Sequence, residues 1–133
     1  MAQLGKGGYV KQIVIFLSQG DYNKAYSTGK EFAANFDKEM VSHFLLSKSA
    51  FGLNIYEEAA LEARKAFNLA DNPDDMLPCA VLASTAYFEL KEYEKGLELL
   101  QNMEKIKTND ELEELLFLFS LALNKSEDAV KHL

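Results

Sequence analysis

One heptapeptide recurs along the chain. Residues 19–25 read QGDYNKA, residues 53–59 LNIYEEA, residues 90–96 LKEYEKG and residues 123–129 LNKSEDA. Each closes on a small residue, and in the first three that residue stands three positions after a tyrosine. The small residues are Ala25, Ala59, Gly96 and Ala129, so the spacings are 34, 37 and 33. A unit returning near every 34 residues is the pattern of stacked helical hairpins, each of which buries its apolar face only against a neighbour. This spacing excludes most other architectures for a chain of 133 residues.

The segments between the motifs read as helices. Apolar residues recur three and four apart, as in Ala25, Tyr26, Gly29, Phe32, Ala33, Phe36 and again in Ala59, Ala60, Ala63, Ala66, Phe67, Ala70. No alternating strand pattern is present. Breaks are expected at Gly20-Asp21, at the DNPDD segment that holds Pro73 and lies close to Pro78, and at residues 107–110, where Asp110 is placed to cap the next helix. In a helical hairpin the small residue marks the tightest crossing, which explains a glycine at 96 despite its helix cost of about 1 kcal/mol against alanine. The tyrosine one turn earlier is expected over the end of the preceding helix.

On these residues the chain resembles the tetratricopeptide repeat family. Gly20, Asp21, Tyr22, Ala25 and Phe32 in the first unit, Tyr56, Ala59, Ala63, Ala66 and Pro73 in the second, and Tyr87, Tyr93, Gly96 and Leu100 in the third are similar to that family's turn and second helix. The family's tryptophan is missing throughout, and its usual glycine is replaced by Ile13, Ser47, Ser84 and Phe117. The resemblance implies an all-α fold, a right-handed α-solenoid of about three and a half repeats in a single domain. The units fall near 8–38, 40–72, 76–107 and 110–133, with extra residues in DNPDDML.

Such a fold implies a binding module with a concave face lined by the first helix of each unit. The positions expected there are Val10, Val14 and Leu17, then Val41, Phe44, Leu45, Lys48 and Phe51, then Val81, Leu82, Thr85 and Phe88. A groove of this composition suits an apolar or amphipathic protein segment. The family's carboxylate clamp resembles a ring of Lys, Arg and Asn on these positions, but here Lys48 is the lone cation, so a chain-terminal carboxylate is a poor ligand. First helices such as VKQIVIFL and HFLLSKSAFGL are apolar nearly all round, more than one buried stripe requires. The alternative is a structural repeat segment, or an oligomer whose apolar faces are filled by its own copies. The run LLFLFSLAL is expected to pair with a second helix starting at Ser126 that is cut off after about two turns. Either the array continues, or this bare end docks on a copy of the chain or on another protein.

Chemistry-bearing residues do not assemble into a catalytic set. Cys79, the single cysteine, is flanked by the apolar LPCAVLA and reads as an inert buried thiol in a reducing, cytoplasmic setting. His43 and His132 lack ligand-spaced partners. Asp71, Asp74 and Asp75 read as turn and capping acids rather than a calcium loop. Glu111, Glu113 and Glu114 complement a helix dipole. Gly5, Gly7 and Gly8 read as a flexible terminus rather than a phosphate loop. No catalytic residue, metal or cofactor is expected. Residues 1–55 carry six Lys against four acids, +2, and residues 56–133 carry eight basic residues against 17 acids, −9. A single Arg, Arg64, and this acidic half argue against nucleic acid as partner. Apolar runs stop well short of the ~20 residues that cross a bilayer, and no secretory signal is visible at the start.

Overall fold

The structure, a computed structural model, describes the backbone of residues 4–131 and the side chains of residues 4–124. It is all-helical over the described residues: α1 Lys6–Ser18, α2 Tyr22–Asn35, α3 Met40–Gly52, α4 Tyr56–Leu69, α5 Pro73–Glu89, α6 Tyr93–Glu104 and α7 Asp110–Lys131. Each helix lies against the next in the chain, and α1, α3, α5 and α7 also lie side by side in that order. No other pair of helix backbones approaches among the described residues, so packing is strictly local in sequence.

Three hairpins, α1–α2, α3–α4 and α5–α6, reverse by one device. Gly20, Asn54 and Lys91 adopt left-handed conformations with φ of 72°, 62° and 60°. The following N–H then donates to the carbonyl five residues back: Asp21 to Phe16, Ile55 to Ala50 and Glu92 to Tyr87, each at 2.9 Å. This bond closes a helix C-terminus by satisfying one of its orphan carbonyls. Past the turn, Tyr56 meets the edge of Phe51 at 5.2 Å and Tyr93 that of Phe88 at 5.3 Å, so both tyrosines lock onto the preceding helix. Tyr22 does otherwise. The residue in register with Phe51 is Leu17, and the Tyr22 ring instead covers Gly52 of α3, where a Cβ would overlap it.

Helix starts follow from capping. The Asp21 carboxylate accepts from the Lys24 N–H at 3.2 Å, and the Asn72 side chain accepts from the Asp75 N–H at 2.9 Å. At α7 the cap is Asn109, which accepts from Leu112 N–H at 2.8 Å; Asp110 is the first helical residue and not the cap. Pro73 opens α5, where its missing N–H is an orphan in any case. The DNPDD segment is therefore only partly a linker. Asp74 and Asp75 fall in the first turn of α5, which has 17 residues against 13 in α3, and Pro78 lies inside that helix. The extra residues of the second unit are absorbed as this added turn.

The core is built differently along its length. Tyr9 stacks on Phe32 at 5.0 Å, and both meet Phe36 edge-on beneath α1 and α2. The middle is made of small residues, Ala50, Ala59, Ala60 and Ala86, which lets α3, α4 and α5 approach closely. Aromatics return at the far side, where Phe88, Tyr93 and Phe119 form an edge-to-face trio. Gly96 serves that trio: a Cβ there would strike the Phe119 ring of α7. The glycine thus makes room for the next helix rather than for its own hairpin partner.

The separate second helix expected from Ser126 does not form, because α7 runs as one helix from Asp110 to Lys131. The side chain of Ala129, and His132 altogether, lie outside the described residues.

Candidate partner-binding groove

The face that α3 and α5 share carries a groove of about 320 Å³. From α3 come Phe44, Lys48 and Phe51, at i, i+4 and i+7. From α5 come Pro78, Val81, Leu82 and Thr85, at i, i+3, i+4 and i+7, and Glu111 of α7 stands at the rim. Those intervals are one face of a helix, so two adjacent helices present parallel apolar walls. Phe44, Phe51 and Leu82 are half-buried, whereas Lys48, Pro78 and Glu111 are exposed. The Lys48 ammonium lies 5.5 Å from the centre of the Phe44 ring, a cation–π distance. Thr85 Oγ1 donates to Val81 O at 2.7 Å within its own helix, which leaves its methyl for the groove. The site offers apolar contact with one positive and one negative rim charge.

Six of the twelve sequence-predicted positions meet here: Phe44, Lys48, Phe51, Val81, Leu82 and Thr85. The others go elsewhere. Val10 and Leu17 pack half-buried on the Tyr9–Ile13–Phe32 cluster, and Leu45 is part of that cluster at 6% exposure. Val41 rests on the same cluster, at the mouth of a polar cavity with Lys6, Lys38 and Glu39. Phe88 is held in the aromatic trio, and Val14 stands on the open surface of α1. Sequence reasoning missed Pro78 and Glu111. Pro78 follows Thr85 and Val81 back along the α5 stripe and was findable from it; Glu111 reaches the groove only through the α5–α7 packing.

His43 is a packing histidine. It is buried, with Nδ1 2.6 Å from Glu62 Oε2 and Nε2 2.7 Å from Asp37 O. Glu62, also buried, receives Lys65 Nζ on its other oxygen at 3.3 Å. Both imidazole nitrogens lie within hydrogen-bond distance of protein oxygens, so the ring is fully engaged in packing contacts. The group acts as a polar rivet between α3 and α4. A parallel set forms at α1–α2, where Tyr9 Oη donates to Glu31 at 2.9 Å and accepts from Asn35 at 3.0 Å. Burial and the Glu31 carboxylate raise the Tyr9 phenol. The Tyr26 phenol is raised chiefly by its bond to Glu58, which joins α2 to α4.

Burial, reinforced by Asp75, pushes the Cys79 thiol up to about 12, so it carries almost no thiolate at neutral pH. Asp74 pairs with Lys107, and Asp75 accepts from Asn72 Nδ2 at 3.0 Å, which engages both acids in helix-end contacts. No described helix is long and apolar enough to cross a membrane. No protein-family model and no curated protein matches the chain.

Proposed function

We propose that the chain is a tetratricopeptide-like right-handed α-solenoid that works as a protein-interaction module, an adaptor or scaffold in a reducing, cytoplasmic setting, and not as an enzyme. Its groove between α3 and α5 takes an apolar or amphipathic peptide or helix. The observation that carries this reading is the convergence of Phe44, Phe51, Val81 and Leu82 on one open groove whose rim charges are Lys48 and Glu111. Local packing supports it, since helices that pack no further than two places along the chain leave an extended side free for a ligand. Lys48 favours a ligand with an acidic residue beside its apolar anchors. Buried, doubly hydrogen-bonded His43 and the protonated Cys79 thiol speak for packing rather than catalysis.

Selection from a displayed library of helical and extended peptides tests the proposal. Enriched sequences should be amphipathic with an acid near the anchors, and calorimetry should give a negative heat-capacity change on binding. Phe44→Asp, in a half-buried groove position, should weaken binding by at least about tenfold, roughly 1.4 kcal/mol, with far-UV circular dichroism unchanged. Failure to enrich any sequence, or equal binding by the Phe44→Asp protein, would overturn it.

A further inference from the structure

Among the described residues every helix from α2 to α6 lies between its predecessor and its successor, whereas α1 packs on α2 and α3 and α7 packs on α5 and α6. The faces left open are apolar. In register with Ser47 of α3 and Ser84 of α5, which are 0% exposed and face α4 and α6, α7 has Phe117 at 64%. Leu118 and Leu121 continue that open face. On α1, Ile15 is in register with Ala86, which is fully buried against α4; Ile15 is 42% exposed, with Leu4 and Val14 beside it.

We infer that these two faces bind each other between copies, α7 of one molecule stacking on the outer face of α1 in the next. Three observations select a second copy as the occupant. First, the charges are complementary. α1 carries Lys11, and Lys6 paired with Glu39, and no acid, whereas α7 carries Asp110, Glu113 and Glu114, with Glu111 on the groove rim, and no basic residue up to Asn124. Pairing α7 with α7 or α1 with α1 would oppose like charges. Second, each open stripe places one such charge among apolar side chains: Lys11 between Leu4 and Ile15, and Glu114 one turn before Phe117 and Leu118. Third, the shapes match. Inside the molecule an aromatic ring seats on a bare glycine twice, Tyr22 on Gly52 and Phe119 on Gly96. The outer side of α1 offers Gly7 and Gly8, where an added Cβ would meet at most the chain's own Leu4, and α7 offers the unseated ring of Phe117.

Such a contact joins two different surfaces, so each molecule keeps one free face and the assembly grows head to tail. Sedimentation velocity over a broad concentration range tests it. The wild-type coefficient should climb past that of a dimer at low salt and fall as salt is added. Ile15→Glu and Phe117→Lys should each be monomeric, and their equimolar mixture should form a 1:1 dimer that grows no further, because only one intact pair of faces remains. The exposed positions Leu4→Glu and Leu121→Lys provide a second pair, and circular dichroism verifies folding in all four. A wild-type chain that is monomeric throughout overturns the inference, as it would if a different segment or protein covers these faces. So does an Ile15→Glu chain that dimerises alone, which would mean that α7 pairs with α7. The α3–α5 groove takes no part, so peptide binding and self-association stand or fall separately.

Discussion

The α3–α4 and α5–α6 hairpins are offset by 37 residues and share a left-handed turn residue, a tyrosine-on-phenylalanine lock and a serine that reaches the facing helix. They differ in what joins their two helices. In α3–α4 the contact is His43 with Glu62, both buried. In α5–α6 the same positions hold Ala80 and Leu99, 0% and 3% exposed. One backbone geometry thus accepts a polar rivet or plain apolar packing, which shows that the turn and the helix spacing define the hairpin while the inner contact is free to vary. The polar version adds direction, since Glu62 must meet His43, but buried ion-pair-like contacts add little net stability over an apolar pair of similar volume.

The largest expected effect comes from breaking the rivet on one side. Glu62→Leu leaves His43 Nδ1 buried without a partner and should destabilise the chain by about 3 kcal/mol. His43→Ala together with Glu62→Leu copies the α5–α6 solution and should return most of that loss. Chemical denaturation of the two single variants and the double variant gives the coupling. A double variant as unstable as the sum of the singles would mean that the two hairpins are not interchangeable.

The second difference lies at the small residue. The carbonyl of Ala59 accepts the Ser47 hydroxyl and the Ala59 methyl sits in the alanine cluster of α3, α4 and α5, whereas Gly96 lies under the fully buried Phe119 ring. Gly96→Ala should cost about 1–3 kcal/mol by overpacking, although alanine is the better helix former. The reverse change, Ala59→Gly, should cost only about 1 kcal/mol, mostly propensity. Equal effects at the two sites, read from melting curves, would show that Phe119 can move aside.

These contrasts explain what was legible in the sequence. The turns, the helix count of each hairpin and the tyrosine locks at 56 and 93 were readable because the backbone device repeats and the small residues fix its register. Half of the groove was readable because i, i+4 and i+7 on α3 and α5 define a face without further knowledge. Which face of α1 turns inward was not, since VKQIVIFL is apolar on nearly every side; Val10 and Leu17 were needed by the core. The His43–Glu62 contact was missed, yet Glu62 interrupts the stripe Ala59, Ala63, Ala66 one turn after its start, and an acid on a buried stripe implies a partner. The continuity of α7 had no such signal. LNKSEDA keeps the hairpin's asparagine but loses its tyrosine, and with it the lock on the preceding helix.

Smaller effects sharpen the comparison at the turns. Asn54 and Lys91 both hold a left-handed conformation, which costs asparagine less than lysine. Lys91→Gly should therefore stabilise the chain by about 0.5–1 kcal/mol, with Asn54→Gly closer to neutral. Gly20→Ala should destabilise by about 1 kcal/mol through φ alone, because an added Cβ meets nothing within 4 Å. A destabilised Lys91→Gly protein would mean that its side chain makes a contact worth more than the backbone strain.

The finest test is the serine. Ser47 Oγ donates to Ala59 O at 2.6 Å, while Ser84 Oγ is 3.5 Å from Gly96 O, at the edge of bonding distance. Phe119 gives the reason: its ring fills the space that Gly96 opens toward α7, and the hairpin has no need to close as tightly on α5. Ser47→Ala should then cost about 1 kcal/mol and Ser84→Ala a small fraction of that. If Gly96→Ala displaces the Phe119 ring, the serine contact should respond, and Ser84→Ala in that background should no longer be near neutral. A double-mutant cycle on Ser84 and Gly96 measures this directly. Strict additivity would show that the long Ser84 contact has a cause other than the seating of Phe119.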